Sequence, residues 1–175
     1  HDLAAILGAV SSRTRMIFLD NPNNPTGTII DKDAFASFMD QLPEEVLVVL
    51  DEAYVDFVAP ELCIDVLAYI REGRPVATLR TFSKAYGISG LRLGYCIMDK
   101  EMADYLNRVL QPFNVNSLAQ VGGLAALSDE EHYQMTLQKS REGIAWLSEE
   151  VEKLGCRPMG THTNFFLIVV GGDGK

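Results

Sequence analysis

Short apolar runs, polar loops and amphipathic stretches alternate along the chain with a regular period in its first half. Residues 15–20 (RMIFLD), 46–50 (VLVVL) and 76–80 (VATLR) are runs of the length expected for buried strands. Residues 2 to about 11 read as the end of a helix. Asp31 can cap a second helix reaching about residue 42, with Phe35, Phe38, Met39 and Leu42 on one face and Pro43 ending it. Residues 62–71 predict a shorter helix, closed by Gly73 and Pro75. The predicted strands end near residues 20, 51 and 81, so a helix lies in each interval of about thirty residues, the size of a βαβ unit. Near-continuous apolar strands predict a mostly parallel sheet with helices on both faces, an α/β fold. Right-handed crossovers then bring all three carboxyl ends to one edge, where open α/β sheets bind their ligands.

The second half reads differently. Residues 93–98 follow the third strand too closely for a crossover helix, so they predict an antiparallel neighbour. Asp99 opens a helix to about residue 110, and 112–116 (PFNVN) is a loop. Ser117 with Gln120, and Ser128 with Glu131, read as capping boxes. The first would begin a helix of small residues (GGLAAL) suited to close packing. The second would begin a long helix striped with Tyr133, Leu137, Ile144, Leu147, Val151 and Leu154 and stopped by Gly155. At about 25 residues that helix spans close to 40 Å, enough to link two domains. Residues 164–170 (NFFLIVV) begin a further sheet. The expected organisation is therefore part of a large α/β domain over 1–110, a loop and connecting helices over 111–155, and the start of a smaller α+β domain over 156–175.

Composition narrows the setting. Of 175 residues, 47% are hydrophobic and 22% charged, as in ordinary globular domains. No apolar run approaches the roughly 20 residues of a membrane-spanning helix. The net charge of −9 with scattered basic residues argues against a nucleic acid or an anionic membrane as partner, but not against a small phosphorylated molecule. Three separated cysteines, Cys63, Cys96 and Cys156, with no CxxC, read as reduced, buried thiols in a cytoplasmic protein. His1, His132 and His162 lack metal-ligand spacing. The chain starts without Met or a basic leader and stops just after a strand, which reads as an internal piece of something longer.

Candidate chemistry gathers at the strand ends. Residues 78–95 (TLRTFSKAYGISGLRLGY) set Lys84 among small and polar neighbours, with Arg92 eight positions on. A lysine fixed in a Gly-rich loop can be partly desolvated, its pKa lowered, and used to form a Schiff base. The same residues also suit a Gly/Ser turn with an ordinary solvated lysine. In residues 21–27 (NPNNPTG), two prolines forbid helix or ladder and stiffen a loop of polar side chains. Pyridoxal phosphate is the commonest carbonyl partner of such a lysine, and it needs a carboxylate on its pyridine nitrogen. Asp51 can supply that, although a helix cap or a solvated strand end is an equally ordinary use. Asn24 and Tyr54 can serve the phenolic oxygen, although Tyr54 also suits a core. Arg92, Thr81 and Ser83 offer a cation and hydroxyls to a phosphate. Glu52 points away from Asp51 on a strand and reads as structural.

NPNNPTG, DEAYVDF and TFSKAYGISGLRLGY together resemble the fold-type I pyridoxal-phosphate aminotransferases of class II, and with QPFNVNSLAQ they are most similar to the histidinol-phosphate aminotransferase family. The resemblance runs through nearly the whole chain. It implies that Lys84 carries the cofactor and moves the substrate proton, and that Asp51 pairs with the ring nitrogen. It also implies that Asn24 and Tyr54 bind the phenolic oxygen, and that Arg92, Thr81 and Ser83 hold the phosphate. An amino donor, histidinol phosphate, a 2-oxo acid acceptor, 2-oxoglutarate, and a homodimer are implied with it. Other chemistry on the same scaffold, aromatic transamination or phospho-amino-acid decarboxylation, is the alternative, and a non-catalytic regulator domain a more distant one. The family's Gly-rich phosphate loop, ring-stacking aromatic, partner-subunit tyrosine and substrate arginine have no match in these residues. The 175 residues alone are expected to be inactive.

Overall fold

The computed structural model describes residues 1–171. Strands β1 (Met16–Asp20), β2 (Leu47–Asp51), β3 (Val76–Thr81) and β4 (Gly94–Ile97) form one sheet in sequence order. The first three run parallel and β4 is antiparallel to β3, as the short β3–β4 connection requires. Helices α1 (Leu3–Gly8), α2 (Lys32–Gln41) and α3 (Val66–Arg71) pack on one face of the sheet. There Phe35, Phe38, Met39 and Val66 meet Leu19, Val48, Leu50 and Val76 in the main core. Asp31 caps α2, accepting bonds from Asp33 N and Ala34 N, both at 3.0 Å. The predicted helix over 62–71 begins only at Val66, because Asp65 caps it through Ala68 N at 3.1 Å.

Strands laid down in one direction by crossovers of one hand put every crossover helix on the same side. The opposite face accordingly receives no cover from α1–α3: Phe18 is 68% exposed and Met16 47%. Val49 and Ala77, beside Phe18 on that face, are nonetheless buried, so it is covered over β2 and β3 and open at β1.

Helices α4 (Lys100–Val109), α5 (Ser117–Ser128) and α6 (Glu130–Lys153) follow. The predicted capping boxes are each displaced by one residue. Asn116 caps α5 through Ala119 N at 2.8 Å, and Asp129 caps α6 through His132 N at 3.0 Å. A short Asx side chain immediately before or after the serine reaches the free amides, so Ser117 lies inside α5 and Ser128 bonds back to Leu124 O. The small residues of α5 do allow close packing: a Cβ on Gly123 would stand 2.3 Å from Leu93 Cδ2. Along α6 the apolar stripe is covered at Leu137 but exposed at Leu147, and Leu154 beyond its end is 80% exposed. The sheet predicted at 164–170 is reduced to β6 (Ile168–Val169), paired antiparallel with β5 (Arg157–Pro158). The cysteines are unpaired, but Cys96 is exposed, contrary to the expected burial, because the edge strand β4 contributes it to the face away from α1–α3. No helix among the described residues is long and apolar enough to cross a membrane.

Candidate active site

Because β1, β2 and β3 are parallel and in register, Asp20, Asp51 and Leu79 stand side by side at one edge. Three loops leave from that edge. The first, residues 21–27, is organised by Asp20, whose carboxylate accepts Asn23 Nδ2 at 2.9 and 3.0 Å and Asn24 N at 2.9 Å. Asn21 continues the ladder to Asp51 O at 2.8 Å, and its side chain accepts Ile30 N at 2.7 Å. Both prolines follow cis peptide bonds. Gly27 has φ +71° and lies against Thr161, where a Cβ would come within 2.1 Å of Oγ1. Only glycine satisfies both conditions.

The second loop carries Asp51 and Tyr54. Asp51 Oδ1 accepts Ala53 N at 3.0 Å. Tyr54 is buried, with Phe165 edge-on at 5.1 Å, and its hydroxyl accepts Asn24 Nδ2 at 3.4 Å. In the third loop Lys84 is half-buried and its Nζ lies 4.9 Å from the centroid of the Tyr54 ring, within cation–π range. Arg92 adopts a left-handed conformation, φ 56° and ψ 48°, uncommon outside glycine and concentrated at functional sites. That turn aims its guanidinium back at the loop: Nη1 donates to Ser89 O at 2.7 Å and Ser83 Oγ at 3.3 Å. Thr81 Oγ1 accepts Ser83 N at 3.1 Å.

Asp51, Thr81, Ser83, Lys84, Ser89 and Arg92 line one cavity of about 340 Å³, a volume suited to a small ligand. Asn24 joins it through Tyr54, which underlies Lys84. All the residues singled out from the sequence are therefore within one contact network. The cavity offers one carboxylate, one amine and two guanidiniums, those of Arg80 and Arg92, with hydroxyls beside Arg92. That set can grip an aromatic ring bearing a basic nitrogen at one end and an anion at the other.

The alternation of β2 sends Glu52 to the opposite side of the sheet from Asp51, as expected. There it is fully buried: its Oε2 accepts Thr78 Oγ1 at 2.6 Å and Arg80 Nε and Nη2, both at 2.9 Å. Beside this pair, Asp56 accepts Tyr133 Oη at 2.9 Å. Burial raises the Asp56 carboxyl above its ordinary value, outweighing the Tyr133 bond and the Arg80 charge, which lower it. Burial also raises the Tyr133 phenol, and Asp56 adds to that.

A carboxyl raised in the folded state binds its proton more tightly there than in the unfolded chain. Its contribution is therefore fully present below the unfolded value of 3.8 and is lost as pH rises through the folded one. Asp56→Asn should remove that component, giving urea midpoints that fall less steeply with rising pH through the acidic range. Identical slopes in the two proteins would contradict this.

Sequence reasoning missed Asp20, Arg80, Asp56, Tyr133, Thr161 and Phe165 as supports of the site. Only Asp56, inside DEAYVDF, carried a local signal.

Residues 1–174 match the family described as aminotransferase class I and II. The chain is 53% identical over 176 residues to histidinol-phosphate aminotransferase of Desulfotalea psychrophila, covering 99% of this chain and 46% of that protein. It is 48% identical over 176 residues to the enzyme of the same name from Moorella thermoacetica, again covering 46% of the relative. Among solved structures, histidinol-phosphate aminotransferase from Sinorhizobium meliloti in complex with pyridoxal-5'-phosphate superposes with a TM-score of 0.92 at 29% identity, over 98% of this chain and 47% of that one. The chain thus spans about half the length of the relatives it matches.

Proposed function

The chain belongs to the class I and II aminotransferases, and on that premise we propose that it forms the lysine-bearing half of a histidinol-phosphate aminotransferase. That enzyme would use pyridoxal phosphate to move an amino group between histidinol phosphate and 2-oxoglutarate, a step of histidine biosynthesis in the cytoplasm. The observation that carries this reading is the single cavity lined by Lys84, Asp51 and Arg92. Its groups fit the cofactor's functional groups: an amine for the aldehyde carbon, a carboxylate for the ring nitrogen, and a guanidinium with hydroxyls for the phosphate.

When bound, pyridoxal phosphate supplies a ring that withdraws electrons from the substrate α-carbon. Asp51 keeps the ring nitrogen protonated, which that withdrawal needs. Asn24 and Tyr54 would donate to the phenolic oxygen, and Arg92, Thr81 and Ser83 would hold the phosphate. Lys84 Nζ would hold the aldehyde carbon and, as a free amine, would be the group that takes and returns the substrate α-proton. The Tyr54 ring beneath Lys84 keeps that amine within the cavity between these roles.

The reading takes these residues as part of a polypeptide of the relatives' length. Borohydride reduction of that full-length protein with pyridoxal phosphate, followed by peptide mapping, should fix the label on Lys84. Turnover should require histidinol phosphate, with phenylalanine a poor donor. A label on another lysine, or decarboxylation in place of amino transfer, overturns the reading. The isolated 175 residues should bind the cofactor weakly and turn nothing over.

The homodimer belongs to the same reading. Phe113 is 98% exposed in a left-handed turn, φ 59°, beside exposed Val109, Leu110, Leu118 and Val121. Packing beneath its own loop is thus not what Phe113 does in this chain, and so many exposed apolar side chains in one stretch of sequence suit a subunit contact. Phe113→Ser should shift the full-length dimer toward monomer in light scattering; an unchanged mass removes the idea.

A further inference from the structure

We propose that Tyr133, on α6, is a positioning residue that holds the Lys84 loop and the Asp51–Tyr54 loop in fixed relation. The inference rests on the function proposed above. Tyr133 touches both loops, beside Leu137, which packs on Tyr54 and Ala85 without a polar bond to either. Its ring stacks on Tyr86, with centroids 5.1 Å apart and planes 30° apart, and Tyr86 is two residues beyond Lys84. Its hydroxyl donates to Asp56 at 2.9 Å, and Asp56 is two residues beyond Tyr54.

The backbone on either side of Lys84 is anchored by side chains turned away from the cavity. Ala85 is fully buried in the cluster formed by Tyr54, Phe57 and Leu137. Phe82, also buried, packs on Tyr86 at 4.8 Å. Residues 82, 85 and 86 therefore face away from the cavity while Lys84 lines it. From Gly87 onward, with Gly87 in the left-handed region at φ 72°, the loop is held by its own turns and by Asn116, whose Nδ2 donates to Leu91 O at 3.4 Å. The placement of Nζ thus depends on the seat of Tyr86, and Tyr133 both stacks on that seat and ties it to the segment that begins with the Asp51 carboxylate. A ring stack alone leaves sliding free. The hydroxyl bond fixes the ring's position in its own plane, because moving it strands a half-buried carboxylate and phenol together.

Tyr133→Phe, Asp56→Asn and the double variant of the full-length protein test this. Three quantities are read: the pyridoxal phosphate dissociation constant of the apoprotein by fluorescence, amide exchange over residues 82–87 in the apoprotein, and the urea midpoint. Tyr133→Phe keeps the stack and removes the bond, so cofactor binding should weaken about fivefold and loop exchange should quicken. Asp56→Asn should do the same to a similar or smaller extent. The double variant should be no weaker than Tyr133→Phe alone, since both changes act on one bond, which Asp56→Asn weakens by removing the charge and Tyr133→Phe abolishes. A lowered urea midpoint with binding within about twofold of wild type, or additive losses in the double variant, overturns the positioning role. Wild-type protein that binds no pyridoxal phosphate overturns the proposed function, and this inference with it, before any variant is compared.

Discussion

Replacing Lys84 by alanine in the full-length protein should lower transamination by about 10³- to 10⁴-fold or more, because in the proposed mechanism that lysine is both the covalent anchor and the proton carrier. Borohydride should then fix no label on the protein. The fold should survive, since the lysine's main intramolecular contact is the cation–π approach to Tyr54, worth roughly 0.5–1 kcal/mol at an accessible site. Activity and stability therefore separate cleanly at this position. Retention of more than about a tenth of wild-type turnover would place the proton carrier elsewhere, since even ordinary acid–base groups contribute about 10²-fold.

Arg80→Met, at a residue that reaches the cavity wall but is paired with Glu52 behind it, should be the change most damaging to stability. It leaves Glu52, fully buried, with one hydroxyl partner, Thr78, while its Oε1 already has no partner among the described residues. Breaking a buried ion pair from one side costs about 3–5 kcal/mol. The Arg80 side chain is 32% exposed, which screens part of the pairing and points to the lower end, about 3 kcal/mol. Urea denaturation of the full-length protein reads this directly. The double change Arg80→Met with Glu52→Gln should be less unstable than Arg80→Met alone, because the uncompensated charge is gone. If the double variant is the weaker protein, the pair is held by shape and not by charge.

Much of this architecture could be read from the letters. The apolar runs at 15–20, 46–50 and 76–80 have one structural use, and their spacing dictated parallel pairing with the loops at one edge. The residues of NPNNPTG, DEAYVDF and the Lys84 loop were found because loop chemistry is local. What escaped depends on partners distant in sequence. Arg80 looked like a strand-end residue until Glu52, 28 positions earlier, was seen opposite it. Tyr133 looked like one member of a core stripe until its hydroxyl reached Asp56, 77 positions away. The helix starts at 116 and 129 were misplaced because the serine boxes matched a pattern while a neighbouring Asn or Asp made the better acceptor. The exposure of Met16 and Phe18 beside buried Val49 and Ala77 depends on which strands are covered, which no local window contains.

The juxtaposed acids at 51 and 52 make the second strand unusually intolerant of changes in length. Inserting or deleting one residue just upstream would rotate the backbone by a half-step, turning the structural glutamate toward the cavity and burying the aspartate beside the arginine. Total charge and composition would be nearly conserved while both sites were spoiled. A library of single-codon indels across residues 47–50 should yield no survivors in a selection for histidine prototrophy, whereas indels in the exposed turn at 71–73 should be tolerated.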